Sequence, residues 1–218
     1  TGWVDVDLTA QGEAEAKQAG KLLAGSGVPF DKLYTSLQTR AIRTGNLAVE
    51  SAGLAWLPIA RDWRLNERHY GALTGLDKAE TAAKHGDDQV KVWRWSYDTP
   101  PPPLEAGGAF DLSNDRRYAG IAVPSTESLK LTLDRVLPYW NETIAPDLKA
   151  GKNLIVAAHG NSLRAIMKHL FAVPDRDIVD VEMPTGNQLL IELDASLKPK
   201  AARYLNAERA VKLPDMPA

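Results

Sequence analysis

Cysteine is absent from the chain, which excludes disulfides, thiolate metal sites and a cysteine nucleophile and agrees with a reducing compartment, the cytoplasm by default. A dominant charge is lacking too: 26 lysine and arginine residues stand against 28 aspartate and glutamate, a formal net charge of -2. No global field therefore recruits nucleic acid or an anionic membrane, and any anion site must be local. Long apolar runs are missing. The clearest one, 154–158, falls far short of the roughly 20 residues that cross a bilayer. Neither a methionine nor a basic-then-apolar leader pattern opens the chain, which starts at Thr1-Gly2-Trp3.

What is present is a core and an alternating pattern. Of 218 residues, 44% are hydrophobic, enough for the interior of a globular domain. Thr9 can cap a helix in which Ala14, Ala16, Ala19, Leu22 and Leu23 recur at helical spacing, and Gly25 and Gly27 end it. Residues 32–36 read as a strand, 38–52 as a helix and 56–60 as another strand. Helical patterns over 78–85 and 88–97 stop at four prolines, Pro100, Pro101, Pro102 and Pro103, which cannot continue a helix. The weakly periodic stretch around 98–124 is predicted to be a lid. Ser125 is placed as the cap of a long helix, kinked at Pro138 and ending near Gly151. The run 154–158 has the pattern of a strand buried on both faces, leading through His159-Gly160-Asn161-Ser162 into a helix over 163–171. Residues 188–193 and 202–205 are further strands, and the tail 206–218 is predicted to be mobile. Without an internal repeat or linker, the expected fold is one α/β domain over 1–218, three layers α/β/α around a mostly parallel sheet, with a helical and loop insertion.

Three segments can carry chemistry. His159 and Gly160 turn a strand end into a helix whose first N–H groups face the strand's carboxyl end, an arrangement that suits an anion; a core histidine before an ordinary turn fits the same letters. Arg40 and Arg43 follow Tyr34-Thr35-Ser36 within a turn or two, and a guanidinium fork suits phosphate, though a solvated helix face has the same pattern. Glu67-Arg68-His69-Tyr70 sets a carboxylate, a guanidinium, an imidazole and a phenol in consecutive positions. Beside phosphate-binding cations that carboxylate can serve as general acid and base to a hydroxyl; the alternative is a salt-bridged turn.

The ordered set Thr1-Gly2-Trp3 with Asp5, Asp7 and Leu8, then 34–44, 63–75, Lys78-Ala79-Glu80-Thr81, the four prolines, Leu137-Pro138-Tyr139-Trp140 and 159–164, resembles the cofactor-dependent phosphoglycerate mutases of the histidine phosphatase superfamily nearly end to end. The resemblance implies a glycolytic and gluconeogenic isomerase that interconverts 3-phosphoglycerate and 2-phosphoglycerate through a phosphohistidine primed by 2,3-bisphosphoglycerate, with no metal. It implies Glu67 as general acid and base, and His159 as stabiliser of the phosphoryl group in transfer. Thr1, Gly2, Arg40, Arg68, His69, Tyr70, Lys78, Arg94, Gly160 and Asn161 would bind phosphate or carboxylate. The partners implied are small phosphoglycerates, without nucleic acid or membrane, and a homo-oligomer, dimer or tetramer, in the cytoplasm.

Two departures matter. The family's nucleophilic histidine lies in an arginine-histidine-glycine motif at the end of a first strand, upstream of the threonine-glycine-tryptophan, and that motif does not occur in 1–218. Trp95 follows Arg94 where the family commonly has a second arginine, and is expected to pack beneath the lid. The strand and its histidine are accordingly expected in about twenty residues before Thr1. Without them the sheet should have an open slot beside 154–158, with Arg40, Glu67 and His159 around its carboxyl end. A phosphatase of the same superfamily, or a phosphate-binding module without a nucleophile, are the competing readings.

Overall fold

A computed structural model describes residues 1–217, apart from the side chains of Lys78, Glu80 and Lys84. Helix α1 (Ala10–Gly25) is capped by Thr9, whose side chain accepts the Gly12 N–H, and its buried positions Ala16, Ala19, Gly20 and Leu23 form one stripe. That stripe packs on α2 (Thr39–Ser51). A Cβ on Gly20 would lie 2.2 Å from the Ala48 carbonyl oxygen, so the close approach of the two helices depends on the absent methyl.

Strand β1 (Lys32–Thr35) is the middle of a parallel sheet ordered β2-β1-β3, with β2 at Ile59–Arg61 and β3 at Leu154–Ala157. Successive side chains of a strand point to opposite faces. Leu33 accordingly joins a core cluster with Ala19, Leu23, Ala48 and Val49, while Tyr34 joins the other cluster, with Leu133, Val136, Ala165 and Ile166. The three expected layers follow from this alternation. Thr35 pairs with Ala157, so the carboxyl ends of β1 and β3 arrive side by side.

Helix α7 (Gly160–Leu170) starts three residues before the apolar period begins at Leu163, because His159 and Ser162 close a capping box ahead of it. Ser125 is not the cap of the preceding long helix. Its carbonyl accepts the Leu104 N–H, and the cap of α5 (Leu129–Tyr139) is Ser128, which accepts the Leu131 N–H at 3.2 Å. The helix continues through Pro138: its hydrogen bonds widen into a π turn at Trp140–Ile144 and resume in α6 (Ala145–Lys149), which ends near Gly151 as expected. The insertion carries α3 (Lys78–His85) and α4 (Asp87–Trp95). Ala218, in the expected mobile tail, lies outside the described residues. No helix among the described residues is long and apolar enough to cross a membrane.

Strands β4 (Leu189–Leu193) and β5 (Pro199–Tyr204) form their own antiparallel pair rather than extending the parallel sheet. β3 is thus bonded along one edge only, to β1. All four of its residues are half-buried, although its composition is that of a strand covered on both faces. The reason is a cavity of about 720 Å³ lined by β3 and β4 together, including Leu154, Val156, Leu189 and Ile191. Arg40, Glu67, His159 and Gly160 also line it, at the carboxyl end of β3.

The α1–α2 contact yields a stability test. Gly20→Ala forces the helices apart, and overpacking of this kind costs roughly 1 to 3 kcal/mol, or about 2 to 12 °C in Tm at this chain length. Calorimetry should record that loss; an unchanged Tm would mean that the two backbones are not held as described.

Candidate active site

The site begins where β1 and β3 end. Ser36 Oγ lies 2.8 Å from His159 Nε2 and accepts the Gln38 N–H at 3.1 Å. The His159 side chain also accepts the Ser162 N–H in the capping box; since Nε2 faces Ser36, the accepting atom is Nδ1. A neutral ring with Nδ1 as acceptor carries its proton on Nε2. Burial, reinforced by the charges of Arg40 and Arg135, holds the His159 pKa well below the ordinary imidazole value.

The segment bearing Glu67 is held from both sides. The Glu67 N–H donates to Gln38 Oε1 at 2.8 Å, and Gln38 Nε2 donates to the Gly2 carbonyl at 2.8 Å. The Glu67 carbonyl accepts from Trp3 Nε1 at 2.5 Å and from Arg135 at 2.9 Å. With the backbone fixed, the carboxylate takes one orientation: Oε1 accepts from the Arg68 N–H at 2.6 Å, Asn161 Nδ2 at 2.9 Å and the Asn161 N–H at 3.3 Å. Oε2 receives none of these three and faces Gly160, 3.9 Å from where a Cβ would stand. Two of the first-turn N–H groups of α7 that the sequence offers to an anion are thus already engaged, one by Glu67 and one by His159.

Guanidinium groups surround this carboxylate. Arg40 donates to the carbonyls of Gly2 and Val4 at 2.8 and 3.0 Å, and its pKa is lowered by burial against the opposing pull of Glu67 and Asp5. Arg68, 1% exposed, donates to the Arg94 carbonyl at 2.8 Å. The Arg68 and Arg94 guanidinium carbons lie 4.6 and 5.5 Å from the centre of the Tyr70 ring. The buried Nε atoms of Arg68, Arg94 and Arg164 have no protein hydrogen-bond partner. Among the described residues, no acidic, histidine or cysteine group is arranged to hold a metal ion.

The remaining sequence candidates fall in different places. Gly2 is buried at φ +52°, and a Cβ there would meet the Tyr70 ring at 3.0 Å, so it lets the start of the chain lie against that phenol. Thr1 is exposed. Lys78 opens α3, and its side chain lies outside the described residues. His69 is 1% exposed, 5.7 Å from the Trp3 ring, and accepts the Gly71 N–H. Arg43 turns outward to Asp7 and Glu13, each at 2.6 Å. Trp95 is 56% exposed and therefore does not pack beneath the lid segment. Phe110 and Tyr118 bring that segment down instead, Phe110 against Gly75 and Tyr118 onto Trp3 at 4.9 Å. Sequence reasoning did not single out Ser36, Gln38, Arg135 or Arg164. The last two sit within helices, where an arginine has no local mark to distinguish it from a solvated face.

A neutral histidine at a parallel-strand end, a carboxylate anchored through one oxygen and a surplus of guanidinium groups fit a phosphoryl-transfer site on an α/β scaffold. Residues 1–205 match the histidine phosphatase superfamily (branch 1), and the chain belongs to that superfamily. A protein named 2,3-bisphosphoglycerate-dependent phosphoglycerate mutase from Hyphomonas neptunium is 67% identical over 217 residues, 100% of this chain and 92% of the relative. One of the same name from Caulobacter sp. (strain K31) is 66% identical over 214 residues, 98% and 90% of the two chains. Among solved structures, a mycobacterial glucosyl-3-phosphoglycerate phosphatase complexed with VO3 superposes with a TM-score of 0.67 at 20% identity, over 94% of this chain and 88% of that one, a likeness of fold.

Burial lowers the pKa of His159, His69 and His169 alike. Each takes up a proton less readily in the folded chain than in the unfolded chain, where protonation begins near about pH 6.5. The unfolded state then binds more protons, so these groups make stability fall as pH drops through that value. Melting curves between pH 7 and pH 5 should show a declining Tm, and His159→Gln should flatten the decline. A Tm that holds or rises over this window would mean that the rings charge freely in the native state.

Proposed function

We propose that this chain interconverts 3-phosphoglycerate and 2-phosphoglycerate as a 2,3-bisphosphoglycerate-dependent phosphoglycerate mutase, an isomerase acting through a phosphohistidine. The observation that carries the reading is Glu67, held through Oε1 with Oε2 toward Gly160, on a cavity that Arg40 and His159 also line. Relatives of that name at 66 and 67% identity support it.

Phosphoryl transfer asks for positioning and for stabilisation of spread negative charge. Arg40, Arg68, Tyr70, Lys78, Arg94 and the Gly160–Asn161 turn, with Thr1 and Gly2 at the rim, hold phosphate and carboxylate groups. Glu67 Oε2 takes the proton of the accepting hydroxyl and returns it on the reverse transfer. His159, neutral with its proton on Nε2, can turn that donor from Ser36 to a phosphoryl oxygen. 2,3-Bisphosphoglycerate supplies the phosphoryl group that primes the histidine, and the excess of guanidinium groups with unpartnered Nε atoms fits such a polyanion. The nucleophile we assign to a strand preceding Thr1 and seated between β3 and β4. The cavity lined by both strands supports this. The enzyme is proposed to work in the cytoplasm as a homo-oligomer. Residues 98–124 would close over the site, as the seating of Tyr118 on Trp3 supports.

Full-length protein should convert 3-phosphoglycerate to 2-phosphoglycerate, respond to 2,3-bisphosphoglycerate and ignore chelators. A metal requirement, or phosphate release alone, would overturn the reading. Glu67→Gln should lower kcat by about 10²- to 10⁴-fold with little change in KM, whereas Arg40→Ala, losing a charge-assisted contact of about 1.5 to 3 kcal/mol, should harm both.

The slot has its own test. Residues Thr1–Ala218 made alone should lack turnover and melt early, and restoring an N-terminal histidine-bearing strand should recover both properties. Ordinary melting together with turnover in the shorter chain would refute the slot assignment.

A further inference from the structure

We propose that Arg164 is a positioning residue that acts through the Asn161 amide, making Oε1 of Glu67 the held oxygen and Oε2 the oxygen that exchanges the proton. The inference rests on Glu67 being the general acid and base. Arg164 lies on α7, three residues after Asn161, and is 7% exposed. One terminal nitrogen donates to the Ile178 carbonyl at 2.5 Å, which fixes the guanidinium; the other donates to Asn161 Oδ1 at 3.3 Å.

A carboxamide has one acceptor end and one donor end. With Oδ1 committed to Arg164, Nδ2 faces the other way and donates to Glu67 Oε1 at 2.9 Å and to Tyr70 Oη at 3.2 Å. The flipped amide would set an acceptor against the carboxylate. Oε1 then has three donors, Arg68 N–H, Asn161 N–H and Asn161 Nδ2, more than its two lone pairs call for. It is saturated, and Oε2 is left to react. Arg164 also attracts Glu67 through space, so the two routes of influence have to be separated.

A double-mutant cycle on the full-length protein does so. Arg164→Met should lower kcat about tenfold, the order expected for loss of an orienting bond to a charged group, with KM for 3-phosphoglycerate within about twofold. In an Asn161→Ala background the same change should alter kcat by less than about twofold, because the amide it acts through is gone. Effects that multiply would overturn the proposal in favour of direct charge or general destabilisation, and so would an effect confined to KM. Should Arg164→Met fail to fold, Arg164→Lys, which keeps the cation but loses the fork, runs the same cycle.

An activity-free readout accompanies it. The Asn161 side-chain NH2 resonance, assigned by its loss in Asn161→Ala, should shift in Arg164→Lys and also in Glu67→Gln. An unmoved resonance in Arg164→Lys refutes the inference whatever the turnover, while a wild-type protein without mutase activity would instead count against the proposed function.

Discussion

The placement of the candidate catalytic carboxylate depends on one buried ion pair, between Arg135 and Glu127. Arg135 Nε lies 2.5 Å from Glu127 Oε1, and the other guanidinium nitrogens donate to Glu127 Oε2 and to the carbonyls of Arg64, Asn66 and Glu67. Glu127 Oε2 in turn accepts the His69 N–H at 2.8 Å. The segment between them has only two short 3-10 turns, Trp63–Leu65 and Gly71–Leu73, and cannot hold its own shape. An extended chain inside a protein must find outside partners for its carbonyls, and here one planar cation on α5 provides three. Stripping either partner leaves a buried charge alone, at a cost of about 3 to 5 kcal/mol. The rest of the site inherits this dependence, because α5 packs on α7 and α7 carries the cap that fixes His159.

Three elements from distant parts of the sequence therefore behave as one rigid frame. Gln38 ties the start of the chain to α2 and to Glu67, Arg135 ties Glu67 to α5, and Asn161 ties Glu67 to α7. Side chains held in this way need little reorganisation when charge moves, which is what electrostatic catalysis requires. The chemistry is also divided by environment. His159 is kept neutral by burial and by nearby cations, while Glu67 receives three donors on one oxygen. A neutral donor and an anionic acceptor can then coexist within one positive field.

Beside this rigid frame the sheet is open. A cavity of about 720 Å³ between β3 and β4 is unlike an ordinary interior, where side chains interdigitate with few voids. It leaves β3 half-buried and one strand edge unpaired in the middle of the fold. The void and the site share a wall at His159 and Gly160.

Much of the architecture could be read from the sequence, because hydrophobic period and chain punctuation are local. The apolar runs at β1 and β3, the stripe on α1 and the Thr9 cap need only near neighbours to declare themselves, and the cluster Glu67 to Tyr70 stood out through its dense, varied chemistry. The ordered similarity to a family adds the roles proposed for Glu67 and His159. Local signals went astray where two choices were locally equal: Ser125 and Ser128 are both capable caps. Only the tertiary structure decided that Arg43 faces solvent while Arg40 faces the site, that His69 packs in the core, and that Trp95 stays exposed. It alone revealed Arg135 and Arg164, since a helical arginine acquires its meaning from carbonyls and amides brought to it by segments far along the chain. Sequence fixes which side chains are available and what period they follow; which of them meet depends on the register of β1 against β3 and the packing of α5 on α7, contacts between residues about 30 to 120 positions apart that no local pattern encodes.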